Sequence, residues 1–214
     1  MKKKRIIFCI LLVLVTSGCT TIQKSSYEDL IKRATESKYK LCNHIKRGYK
    51  YYLPVGLRSV SMDEYNEIIK GENTTYYLYT DLVSFYNKAK VSYEEKSNIY
   101  YSKTFTKNKN KGIVNVRQDK DNNYVVQVIY NYARVEVIAT ELNLKSVIAN
   151  ALTIVTTMNY NSDVISSLIG VDSFSSLEET VSIFDKTEVD NDQLEVEETY
   201  TGNEEEDYDP DVIN

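Results

Sequence analysis

The chain has no tryptophan, two prolines, one histidine and seven glycines in 214 residues. A lone His44 leaves little from which to build a histidine metal cluster, or Ser–His–Asp or Cys–His machinery with its supporting shell. The glycines are scattered, with no GxGxxG fingerprint and no phosphate-loop lysine motif. The spaced acidic pattern of an EF-hand loop, with its central glycine, is also missing. Long apolar runs are lacking too. The main one, Ile6–Val15, has ten residues and as a helix would span about 15 Å. A bilayer core is about 30 Å thick and needs about twenty apolar residues, so this run is too short for a permanent spanning helix.

What the chain does have begins at its first residue. Lys2, Lys3, Lys4 and Arg5 precede Ile6–Val15, and Thr16, Ser17, Gly18 and Cys19 follow. A basic start, a short apolar core and a small-residue exit have the layout of a secretory signal peptide, and the positive charges favour a cytoplasmic N-terminus during export. The exit TSGC resembles the lipobox of bacterial lipoproteins. That resemblance covers residues 1–19 only. It implies cleavage between Gly18 and Cys19, lipid on the Cys19 thiol, and a location on the extracytoplasmic face of the cell membrane. The family usually has Leu, Val or Ile where this chain has Thr16, and Thr20 rather than Asp follows the cysteine. The implied diacylglyceryl group supplies two chains, which matters because a single acyl chain binds membranes only marginally.

Cysteine accounting follows. Cys9 would leave with the signal, Cys19 would carry lipid, and only Cys42 would remain, which excludes a disulfide framework. Removing residues 1–18, with four basic residues and no acid, takes the formal charge from −5 to −9. Residues 187–214 hold twelve Asp and Glu and no Lys or Arg. Low hydrophobicity with high like charge cannot offset ordering entropy, so this segment is expected to be a disordered acidic tail. Without its −12, residues 19–186 carry +3. Nineteen tyrosines beside abundant lysine and asparagine point to codon bias rather than to a function.

Four segments are expected: signal 1–18, lipidated tether 19–25, globular domain 26–186 and tail 187–214. A capping box of Ser25 with Glu28 predicts a first helix ending at Gly48. Its Lys38, Lys40, Lys46, Arg47 and Lys50 lie close in sequence to the lipid, where anionic headgroups could attract them. A second box, Ser61 with Glu64, predicts a helix through Ile69, stopped by Gly71. Strands are expected at Tyr76–Tyr86, Asn98–Thr106 and Ile113–Gln118. Tyr124–Thr140 switches alternation phase at its middle, the mark of either a tight turn or a bulge. With no Gly or Pro there, one long bulged strand is expected. Leu144 to about 159 reads as the core helix, capped by Asn143 or Ser146. Shorter helices follow at Ser162–Leu168 and Ser176–Phe184. The fold class is therefore α+β: one domain with an N-terminal helix, an antiparallel sheet of about four strands and a core helix on one face.

Chemistry-bearing residues are few. Cys42 and His44, on the expected helix, would be poorly placed to activate each other, because residues two apart face different sides. Carboxylate pairs could arise from Asp63 with Glu64, or Asp81 with Glu94 or Glu95. Lys103, Lys107, Lys109 and Lys111 with Tyr100, Tyr101 and Phe105 form a basic, aromatic stretch. It suits a soluble loop guarding a sheet edge better than nucleic acid. No catalytic residue, metal or cofactor is assigned. The expectation is a non-enzymatic envelope lipoprotein with a protein partner. Its rivals are a ligand-capturing lipoprotein that serves a transporter and a carboxylate-dependent hydrolase.

Overall fold

Alternating Val, Ile and Tyr residues build the centre of the molecule. In the computed structural model, residues 22–169 are described, apart from 39, 40, 64, 65 and 120. The tail, the Ser176–Phe184 helix and the signal therefore lie outside the described residues. The elements are α1 (Tyr27–Glu36), β1 (His44–Lys46), β2 (Tyr49–Tyr51), β3 (Arg58–Asp63), β4 (Asn66–Lys70), β5 (Thr75–Thr80), α2 (Leu82–Tyr86), β6 (Tyr101–Lys107), β7 (Asn110–Gln118), β8 (Tyr124–Tyr130), β9 (Ala133–Ala139), α3 (Leu144–Thr156), β10 (Asn159–Tyr160) and α4 (Ser162–Ile169).

Two antiparallel sheets result, so the α+β class holds. The larger has seven strands in the order β3-β4-β5-β9-β8-β7-β6, rather than about four, and the smaller is β1-β2-β10. Two of the three extra strands come from residues 58–70, largely expected to be helical, and the third from the division of Tyr124–Thr140 into β8 and β9; β1 and β2 of the small sheet fall in the region of the expected first helix. Residues 58–70 form the β3–β4 hairpin, with register Arg58↔Lys70 and a shift between Ser59 and Ser61. Gly71 turns β4 into β5, its N–H donating to the Thr74 carbonyl at 2.9 Å, rather than stopping a helix. Local capping signals lost here to pairing with β5, where Ile69 opposes Tyr76 and both are buried. The expected first helix is likewise shorter. It starts at Ser26, which exchanges side-chain and backbone hydrogen bonds with Asp29, one residue later than the expected Ser25–Glu28 box. It ends at Glu36, and His44–Lys46 and Tyr49–Tyr51 pair as strands.

Tyr124–Thr140 is a hairpin, not one bulged strand. Asn131 and Tyr132 both have left-handed φ, 49° and 63°, so a two-residue turn accounts for the phase switch. Asn tolerates this conformation; Tyr132 is held in it by tertiary contacts. Its hydroxyl donates to the Ala89 carbonyl at 2.8 Å, and its ring meets Phe85 edge-on at 5.8 Å. The strand expected over Tyr76–Tyr86 stops at Thr80 because Asp81 caps α2, accepting from the Ser84 N–H at 2.8 Å.

α3 lies where the core helix was expected, over β8, β9 and α1. Val147, Ile148, Ala151, Leu152, Ile154 and Val155 are buried on it. They pack in one core with Val126, Val128, Val135, Val137, Tyr76 and Leu78. Asn143 precedes α3 but makes no side-chain cap bond to it; its Oδ1 accepts from the Thr140 N–H at 2.8 Å. The other face of the sheet carries a polar row. Ser102, Asn115, Gln127 and Glu136 stand in register and are linked side chain to side chain at 2.8, 3.3 and 2.8 Å.

The two ends of the long strands differ. At one end the described chain enters: Gln23 Nε2 donates to the Leu142 carbonyl at 3.0 Å, and Lys145 Nζ donates to the Gln23 carbonyl at 2.8 Å. At the other end lie the β6–β7 and β8–β9 turns, joined by Asn110 Nδ2 donating to Asn131 Oδ1 at 2.9 Å. Helix α1 runs between these ends, and Lys107 Nζ caps its far end, donating to the Ala34 carbonyl at 2.7 Å. Lys38 and Lys107 border one depression at that far end. At least Lys38 of the expected membrane-proximal lysines thus lies away from the chain's entry.

Gly112 sits where β7 passes beneath Phe105. A Cβ there would lie 2.8 Å from the Ile129 carbonyl oxygen and against the Phe105 ring. Overpacking of this kind costs about 1–3 kcal/mol. Gly112→Ala is therefore expected to lower the unfolding free energy by that amount, read as a lower urea midpoint with the m-value unchanged.

Candidate functional site

Among the described residues, a cluster of titratable side chains joins the two sheets. Antiparallel pairing of β1 with β2 places His44 opposite Tyr51 and Lys46 opposite Tyr49. Alternation then puts these four side chains on one face of the small sheet and leaves Ile45, 75% exposed, on the other. Glu67 projects from β4 toward that face, with its side chain fully removed from solvent. Its Oε1 lies 2.8 Å from His44 Nε2 and 3.4 Å from Lys46 Nζ. Its Oε2 accepts from the Tyr51 hydroxyl at 3.0 Å.

A buried carboxylate needs this many partners, since an uncompensated one would cost several kcal/mol. The tyrosines respond to it. Burial first, then the neighbouring Glu67 charge, raises the Tyr51 and Tyr49 hydroxyls well above the usual tyrosine range. A carboxylate that orients a histidine is half of a nucleophilic triad. Among the described residues, no hydroxyl or thiol is hydrogen-bonded to His44 besides this carboxylate contact. The arrangement as it stands is a charged clamp between β4 and the β1–β2 hairpin.

Glu67 was not singled out from the sequence. It lay inside an expected helix, and only its shared phase with Ile69 hinted at an inward position. His44 was singled out, but with Cys42 as its neighbour. Cys42 precedes β1 and is half-buried, its thiol 3.8 Å from the Thr157 carbonyl. The other expected candidates have separate structural duties. Asp81 caps α2. Glu95 accepts from both the N–H and the hydroxyl of Thr104 at 2.9 and 2.8 Å, which covers part of the β6 edge, and these bonds lower its pKa. Asp63 ends β3, and Glu64 lies outside the described residues.

The lysine stretch divides. Lys107 is committed to α1, and burial lowers its pKa. Lys103 pairs with Glu95 at 3.4 Å. Lys109 and Lys111 instead join Lys88 and Lys90 around a depression of about 380 Å³ at the turn end of the sheet, floored by Asn110, Asn131 and Tyr132. No acidic residue lines it. No local signal marks Lys88 and Lys90 as neighbours of Lys109 and Lys111, which lie about twenty residues further along the chain.

Cys19 and Gly18 lie outside the described residues. Among the described residues no helix is long and apolar enough to cross a membrane, and no three His, Cys, Asp or Glu side chains are grouped to hold a metal ion. No family model and no curated protein matches the chain.

Two outcomes follow for the clamp. His44→Ala with Lys46→Ala leaves Glu67 with Tyr51 alone, and stripping a buried charge of partners costs about 3–5 kcal/mol. Equilibrium urea unfolding at neutral pH measures this loss. Alkali tests the tyrosines. Raised folded-state pKa values mean that the unfolded chain loses its protons first. Their contribution is complete below the ordinary tyrosine value of 10.0 and falls as pH rises above it. Tyr93, pushed up to about 12 by burial, adds to the same window. The urea midpoint should hold to about pH 9.5 and drop beyond pH 10, with a shallower drop in Tyr51→Phe.

Proposed function

We propose that the protein is a lipid-anchored component of the extracytoplasmic face of a bacterial membrane, and that its domain binds a partner rather than transforming a substrate. The observation that carries this reading is the order of Met1–Cys19: four basic residues, ten apolar residues, then Thr-Ser-Gly-Cys. The domain begins within a few residues of Cys19 and is tied down at once through Gln23. A short tether of this kind would hold the domain close to the membrane surface with its chain-entry end inward. The His44–Glu67–Lys46 cluster supports binding over catalysis, because Glu67 is spent inside the protein.

The partner is expected to be another envelope protein, which makes the role one of assembly. The lysine-lined depression favours a second reading, a lipoprotein that captures a ligand for a transporter. Affinity purification of the lipidated protein from its own membranes separates the two: a reproducible protein partner supports assembly, and a bound metabolite alone supports capture.

The anchor is tested by Cys19→Ser. Labelling with radioactive palmitate should be lost, and the protein should stay unprocessed or leave the membrane fraction. Unchanged membrane retention with an unchanged mature N-terminus would refute the anchor.

A further inference from the structure

We propose that the depression bounded by Lys88, Lys90, Lys109 and Lys111 is a binding site for a phosphate-bearing ligand that approaches from the side away from the membrane. The direction of approach rests on the lipid-anchor reading; the binding does not. Two segments bring the four lysines together, the stretch after α2 and the β6–β7 turn, and the β8–β9 turn lies between them with Asn131 and Tyr132. All four side chains are exposed, and among the described residues none of them makes an ion pair. Four like charges around one concavity repel one another and produce a positive potential there, which an anion relieves.

The backbone supplies a second observation. Lys88 and Lys109 have left-handed φ values of 51° and 69°, a conformation that costs an L residue and not glycine. Two-residue hairpin turns favour glycine at their second position, which Lys109 occupies after Asn108. Lysine thus stands at two sites where glycine would be conformationally cheaper, and both line the same depression. Strain held at a surface cluster points to a use for the side chain.

The floor is fixed while the rim is adjustable. Asn110 bonds to Asn131, and Tyr132 is anchored to Ala89. Lysine ammonium groups are compact charges with rotatable donors, and they bind phosphate oxygens as point charges; the more charge a ligand carries, the better it answers four of them. The volume of about 380 Å³ is at the small end of ligand cavities.

Position selects among sources of phosphate. The described chain enters at the opposite end of β8 and β9, and seven-residue strands span about 20 Å. Electrostatic attraction to headgroups decays over about 8 Å at physiological salt. The anchoring membrane's own phospholipids are therefore out of reach, and the ligand is a soluble or wall-borne phosphate or phosphodiester.

The test is titration calorimetry of the full mature chain with inorganic tripolyphosphate, in parallel with sedimentation of Cys19→Ser chain with phosphatidylglycerol vesicles. Saturable tripolyphosphate binding that weakens with salt is expected. Lys109→Gln with Lys111→Gln, and separately Lys88→Gln with Lys90→Gln, should each weaken it by up to about 25-fold, at up to roughly fivefold per exposed ion pair. Lys32→Gln on α1 should leave it unchanged. Absence of saturable binding, or affinity indifferent to both lysine pairs, would overturn the proposal. Vesicle binding lost with the same lysines would overturn the direction of approach. Binding that appears only after the acids of residues 187–214 are changed to amides would assign the depression to the chain's own tail and overturn an external ligand. Loss of palmitate labelling does not enter the calorimetry, so the anchor and this site fail separately.

Discussion

Everything in this fold hangs on the pairing of β5 with β9. Five residue pairs, from Tyr76↔Val137 to Thr80↔Ala133, join two stretches more than fifty residues apart. On one side lies the β3–β4–β5 set; on the other lies the β6–β9 meander, whose neighbours are near in sequence. Closing so long a loop costs entropy that grows only slowly with length. The gain is that Tyr76 and Leu78 of β5 join β8 and β9 in the apolar surface that α3 covers.

That single junction also sets where charges meet. It brings β4, and with it Glu67, beside the small sheet, so a carboxylate that local sequence marks as helical becomes an internal counter-ion. It places the β5–α2 corner next to the β8–β9 turn, where the Asp81 N–H donates to the Tyr132 carbonyl at 2.8 Å. The segment after α2 then delivers Lys88 and Lys90 to the lysines of the β6–β7 turn. A buried anion and an exposed cation cluster thus both follow from one strand pairing. The first is neutralised inside the protein, and the second is left open to solvent.

Sequence signals were dependable where the local and the global preference agreed. Periodicity marked β7, β8 and the apolar stripe of α3, and the structure places them there. Signals failed where short motifs had two uses. Ser61 and Glu64 fit a capping box, yet the segment pairs as a hairpin because β5 offered a partner. The Asn131–Tyr132 turn was hidden because it lacks glycine; contacts with Phe85 and Ala89, remote in sequence, hold Tyr132 in a conformation that its own chemistry disfavours. Of the clamp, only His44 stood out beforehand, through its being the one histidine. Glu67 did not, since its one mark, a strand phase shared with Ile69, counts only once the segment is known to be a strand.

The sequence alone determined the charge asymmetry, the scarcity of catalytic residue types and the signal-like order of residues 1–19, because these depend on composition and on neighbours along the chain. Tertiary structure decided the number of strands, the partners of Glu67 and the gathering of four lysines at one end, because each requires segments far apart in sequence to share a surface. Strand pairing and burial are non-local, and the free energy that selects them exists only once the partners are in place.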